Sequence, residues 1–188
     1  MLQRIQEKYE LTDYQTRLLK YYLTVVIGET AKLLAIGCLF LNQYSTYLWC
    51  VLLFALIHTA TGGAHCHTYW GCLAASAVLF FVCIDILPYY IEISLICRAV
   101  LLIICGILNC CCGPVMTKER RARFKDEKLL AKSTKKALFR VCAVVSCFIL
   151  YTCCYPESSV AKAGFWIILL DSLQLTAAKI TNLIRKEG

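Results

Sequence analysis

Apolar residues gather into long blocks along this chain, separated by short polar stretches. The blocks run over about residues 22–41, 46–59, 69–87, 93–112, 137–155 and 160–178. A helix needs ~20 apolar residues to cross a hydrocarbon core, so the longer blocks suffice, while the second, fifth and sixth are short or weakly bounded. Backbone inside a bilayer must satisfy its own hydrogen bonds, which leaves helices and closed barrels. The ten-residue alternation of a barrel strand is missing. The pattern predicts an all-α, polytopic integral membrane helical bundle of about six transmembrane helices, one membrane domain over residues 1–188. Four spans with re-entrant segments is the alternative.

The punctuation has a physical reading too. Asn42-Gln43-Tyr44-Ser45 reads as a short outer turn, Gly62-Gly63 as a junction, and Pro88 with Tyr89-Tyr90 as an interfacial break. Gly113-Pro114 stops the fourth span, and Tyr155-Pro156-Glu157-Ser158-Ser159 turns the chain between the last two. Before the first span, Ile5, Tyr9, Leu11, Tyr14 and Leu18 alternate with Arg4, Lys8, Arg17 and Lys20. That spacing predicts an N-terminal amphipathic helix over residues 1–20, lying on the inner leaflet.

Composition supports the membrane assignment. The chain is 60% hydrophobic and 17% charged, against roughly half and a quarter for soluble domains. Of its 20 Lys and Arg, ten fall between Lys118 and Arg140. Such a cluster marks a basic cytoplasmic loop, residues 115–137, whose expected partner is anionic membrane lipid rather than nucleic acid. With the N-terminus inside, six crossings place the glycine junction, this loop and the C-terminus in the cytoplasm. The 14 cysteines sit mostly inside predicted spans, where a thiol behaves as a small apolar residue. They suit a reducing compartment better than a disulfide framework.

Polar groups within the apolar blocks are costly and ask for a reason. Glu29 and Lys32 lie three residues apart on one face of the first span, placed for an ion pair or for support of a reacting group. The densest constellation is residues 61–72, Thr-Gly-Gly-Ala-His-Cys-His-Thr-Tyr-Trp-Gly-Cys. His65 and Cys72 are seven residues apart. If a helix begins near Gly63 they share one face. If it begins near Tyr69, Cys72 lies in the first turn, where the helix dipole favours the thiolate. Both geometries permit a base and nucleophile for acyl transfer. A metal site built from His58, His65, Cys66, His67 and Cys72 is a rival, but zinc ligands ordinarily come in better-spaced pairs, so no metal and no cofactor is expected. Cys66 as nucleophile ranks below Cys72. A non-enzymatic transporter lined by Glu29, Lys32, Asp85 and Arg98, or an accessory membrane subunit, leaves the junction unexplained.

Gly63-Ala64-His65 followed by Cys72, between two membrane spans, resembles the accessory gene regulator B (AgrB) endopeptidases, bacterial membrane cysteine proteases of quorum sensing. The resemblance extends to the short length, the charged first span and the basic loop. It implies that His65 is the general base, Cys72 the nucleophile and Gly63 part of the motif. It also implies an AgrD-like precursor peptide as partner, cut at its C-terminal tail through a thioester and released as a cyclic thiolactone or lactone. The implied location is the bacterial cell membrane with the active site facing the cytoplasm, and the resemblance leans toward a homodimer. Many relatives carry arginine where this chain has His58, so a cationic role at that position requires a protonated imidazole.

Overall fold

A computed structural model of the chain describes residues 12–62, 68–113 and 127–187. It falls into two compact units, residues 1–42 and 43–188. Among the described residues its regular structure is all helix, with no strand.

The first unit contains α1, Asp13–Gly37. Thr12 starts it with a capping box: its hydroxyl accepts from the Gln15 N–H (3.3 Å), and the Gln15 side chain accepts from the Thr12 N–H (2.9 Å). Both bonds satisfy donors that a helix start leaves without a partner. The expected amphipathic helix lies largely outside the described residues. From Asp13 onward the chain belongs to this longer helix, with no break before the apolar block. A 3₁₀ turn, Cys38–Gln43, follows, bent at Phe40 (φ −115°, ψ 30°).

The second unit holds the remaining helices: α2, Tyr44–Thr61; α3, Tyr69–Phe81, running through a π turn, Val82–Ile86, into α4, Leu87–Tyr90; α5, Leu95–Cys112; α6, Glu127–Cys154; and α7, Ser159–Glu187. Among the described residues, five helical stretches are long and apolar enough to cross a membrane, Val26–Thr61, Tyr69–Tyr90, Leu95–Cys112, Ala131–Cys154 and Ser159–Thr181. The expected count of about six is thereby corrected to five. The first two expected blocks fall in one such stretch of 36 residues because the 3₁₀ turn leaves no coil between α1 and α2, although Phe40 and Gln43 (φ −125°, ψ 31°) depart from helical geometry there. Pro88 does not end the third block either. The π turn just before it absorbs the lost N–H and the ring's crowding, and the helix continues to Tyr90. The basic stretch is not all loop, because α6 already begins at Glu127.

Cross-helix hydrogen bonds fix the directions within the second unit. At one end Thr46 of α2 meets Ser159 of α7 (2.9 Å), and Arg98 of α5 donates to the Pro156 carbonyl (2.9 Å). Toward the other end α2 and α5 again bond α7, through His58–Asp171 (2.9 Å) and Asn109–Ser172 (2.7 Å). Thus α2, α5 and α7 run one way. Helix α3 runs back, since Gln43 reaches Asp85 (2.8 Å), and so does α6, whose Cys142 sulfur lies 3.4 Å from that of Cys110. Gly62, Thr68, Gly113 and the N-terminal part of α6 therefore share one end of the unit.

Helix α7 is the most enclosed span. Its Ala161, Ala163, Phe165, Ile167, Ile168 and Leu175 are buried, and Phe165 and Ile168 pack with Leu53 and Ile57 of α2, Leu102 and Cys105 of α5, and Val141, Val145 and Phe148 of α6. Helix α3 joins α2 through edge-on aromatic contacts of Phe80 with Tyr47 and Phe54. Large apolar side chains such as Trp49, Ile96, Ile103, Ile107 and Leu150 face outward, as lipid contact requires. Aromatic pairs mark both ends of the α3–α4 stretch: Tyr69 and Trp70 are exposed at the start, Tyr89 and Tyr90 at the finish. The two pairs are separated by ~30 Å of helix, the thickness of a hydrocarbon core.

Candidate active site

The junction that carries the sequence motif is framed by two helix ends. Helix α2 stops at Gly62, whose φ of 72° lies in the left-handed region that a side chain disfavours, and whose N–H donates to the His58 carbonyl (2.8 Å). Helix α3 starts after Thr68, an extended residue whose hydroxyl accepts from the Gly71 N–H (3.1 Å). Gly63, His65, Cys66 and His67 lie outside the described residues, and so does the expected pairing of His65 with Cys72.

Cys72 is described and half-buried. It is the fourth residue of α3, and its N–H makes the first intrahelical bond to the Thr68 carbonyl (3.1 Å). Of the two helix starts open from the sequence, the one near Tyr69 is found, after an extended Thr68. The thiol thus sits in the first turn of a capped helix. Tyr69 and Trp70, edge-on with ring centroids 5.8 Å apart, flank this turn at the expected interface. Thr68 supplies the cap, and a threonine four residues before a cysteine was its visible signal.

His58 lies one turn before Gly62. Its Nδ1–H donates to Oδ1 of Asp171 (2.9 Å), and Phe54 stacks on the ring at 4.7 Å. Asp171 is 2% exposed, and its other oxygen, Oδ2, has no hydrogen-bond partner among the described residues. Sequence reasoning passed over Asp171. The signal was available, since an isolated acid in the last apolar block needs a partner. The adjacent Ser172 accepts from Nδ2 of Asn109 (2.7 Å) and donates to the Ile168 carbonyl (2.7 Å). Asn109 also donates to the Cys105 carbonyl (2.8 Å).

The other sequence candidates separate. Glu29 and Lys32, in the first unit, form an ion pair at 2.6 Å with Lys32 buried and Glu29 exposed. Asp85 accepts from Gln43. Arg98, buried, donates to the carbonyls of Pro156 (2.9 Å) and Ile93 (3.2 Å) and ties two connections together at the end away from the junction. Beside it Lys162 pairs with Glu157 (2.7 Å), and that hydrogen bond and charge hold the exposed Glu157 carboxyl below the usual carboxylate range. At the junction end, Lys179 donates to the Cys111 carbonyl (2.8 Å), a cation on the last carbonyls of α5. No cluster of His, Cys, Asp or Glu suited to a metal occurs among the described residues.

The family model described as accessory gene regulator B matches residues 1–175. No curated protein and no solved structure matches the chain.

Proposed function

This chain belongs to the accessory gene regulator B family, and from that premise we propose that it is a membrane-embedded cysteine endopeptidase that matures a small quorum-sensing precursor peptide. The observation that carries the proposal is the position of Cys72, half-buried in the first turn of a Thr68-capped helix and next to the junction that holds His65. In this reading His65 takes the thiol proton and Cys72 attacks the carbonyl of the scissile peptide bond. The positive end of the α3 dipole steadies the oxyanion. His65 then returns the proton to the leaving amine, the C-terminal tail departs, and the upstream peptide stays on sulfur as a thioester. An internal thiol or hydroxyl of the precursor next attacks that thioester. Its proton passes back to Cys72, and a thiolactone or lactone is released. Tethering favours this attack over water through a high effective molarity.

Topology supports a cytoplasmic site. Two spans separate the junction at 61–72 from the basic stretch, so both lie on one side of the membrane however Val26–Thr61 crosses. Ten cations between Lys118 and Arg140 favour the cytoplasmic side for that stretch, and the junction goes with it. A basic surface on the same side also suits a precursor with an acidic tail. The transporter reading gains nothing from the helix contacts, because Asp85 and Arg98 are engaged at the opposite end.

Two variants test the proposal in membranes that contain the cognate precursor. Cys72→Ala and His65→Ala should both insert normally and abolish tail removal. Retained cleavage in Cys72→Ala overturns the assignment.

A further inference from the structure

The two helices that lead into the functional connections end in the same way. Helix α2 ends at Gly62 (φ 72°), whose N–H donates to the carbonyl of His58. Helix α5 ends at Gly113 (φ 59°), whose N–H donates to the carbonyl of Asn109 (3.1 Å). In each case the residue whose carbonyl closes the helix also sends its side chain to α7. His58 bonds Asp171, and Asn109 bonds the next residue, Ser172. One turn of the most enclosed helix therefore holds two helix ends. One end opens into the junction that carries His65, the other into the basic stretch.

Each hold is firm for a physical reason. Asp171 and Ser172 are buried, so neither has water as an alternative partner. Phe54 covers one face of the His58 ring and limits its rotation. The Ser172 hydroxyl is committed as donor to the Ile168 carbonyl, which leaves it as acceptor for Asn109. A rotation of the last turn of α2 would break the Asp171 bond and swing Gly62.

We propose that Asp171 is a positioning residue of the peptidase reaction, acting through His58 to set the end of α2 and hence the junction beside Cys72, while Ser172 acts in the same way through Asn109 on the end of α5 and the basic stretch. The inference rests on the peptidase reading above and assigns the two arms different kinetic consequences. The Asp171 arm governs the chemical step, and the Ser172 arm governs capture of the precursor.

The test uses the full chain in vesicles of phosphatidylethanolamine and phosphatidylglycerol, with the synthetic precursor as substrate. Mass spectrometry additionally follows iodoacetamide labelling of Cys72, resolved from the other cysteines by peptide. Asp171→Ala should lower kcat by about 10- to 100-fold, the size of effect that a small misplacement of reacting groups produces, with KM unchanged and Cys72 labelling altered. Asp171→Asn, which still accepts from Nδ1–H, should recover most of the kcat. Ser172→Ala should raise KM and leave kcat and Cys72 labelling near wild type. If Asp171→Ala does not accumulate folded, His58→Ala opens the same pair from α2 and should show the same loss of kcat at constant KM. A folded Asp171→Ala or His58→Ala protein with wild-type kcat and labelling overturns the inference, as does a rise in KM alone. A wild-type protein that does not cleave, or a Cys72→Ala protein that does, fails the peptidase reading instead. The labelling of Cys72 in Asp171→Ala still decides the positioning claim in that case.

Discussion

Two glycines inside spanning helices provide a test of the packing, because the same substitution should act in opposite directions at each. A Cβ added at Gly164 of α7 would lie 2.6 Å from Cζ and 2.8 Å from Cε2 of Phe148, and 2.8 Å from Cδ1 of Leu53. Carbon atoms pack at about 3.5–4.0 Å, so α2 and α6 would have to give way by roughly 1 Å, or Phe148 would have to leave its rotamer. Overpacking of this kind costs about 1–3 kcal/mol. Three contacts this short place the cost in the upper part of that range, about 2–3 kcal/mol; alanine's better helix propensity returns up to about 1 kcal/mol, leaving a net loss of about 1–3 kcal/mol. At Gly106 of α5 the nearest atom to a new Cβ is Cγ1 of Val145 at 3.6 Å, an ordinary contact. Gly106→Ala should therefore be neutral or stabilising by up to about 1 kcal/mol. Thermal unfolding in one detergent, read by loss of the helical signal, compares the two. For a chain of this length 1 kcal/mol corresponds to about 2–4 °C in Tm. A Gly164→Ala protein as stable as wild type, or a Gly106→Ala protein that loses more than Gly164→Ala, refutes the packing of α7 between α2 and α6.

Two further predictions concern the reaction. Thr68→Ala removes the cap that holds the first turn around Cys72, at a cost of about 1 kcal/mol; kcat/KM for precursor cleavage should fall several-fold and return in Thr68→Ser, and equal rates in all three proteins would sever the cap from the chemistry. Neutralising Lys132, Lys135 and Lys136 to Gln should raise the precursor's KM while leaving kcat alone if the basic stretch recruits an acidic tail; an unchanged KM leaves these lysines with lipid contact and topology only.

Much of the fold is legible in the sequence because membrane helices are specified by length and apolarity, and their ends by strong local signals. Gly62 and Gly113 both end helices as expected, each at a positive φ. The two internal punctuation marks fared differently. At Asn42–Ser45 a new helix does begin, with Gln43 in the N-cap position, but a 3₁₀ turn replaces the expected loop. At Pro88 the composition suggests a break, yet a π turn carries the helix past it to Tyr90. Cys72 was legible as a candidate, and the helix start beneath it narrowed two geometries to one. The Asp171–His58 and Ser172–Asn109 bonds were not legible, because each joins residues far apart in sequence. Single polar residues in apolar blocks advertise that they need a partner without saying which one.

The exposed aromatic pairs at the two ends of the α3–α4 stretch have a further consequence for Cys72. Anchored at both interfaces, this helix is matched to one bilayer thickness; it must tilt in a thinner one, and a thicker one must thin around it. Cys72 lies two residues beyond Trp70, ~3 Å along the axis, so the thiol rides just beneath the headgroups. Acyl-chain length and fluidity then set how far water reaches toward the sulfur. Under the peptidase reading proposed above, the lipid itself would control the partition between hydrolysis and ring closure, and remodelling the membrane would alter the yield of cyclic product with the chain unchanged.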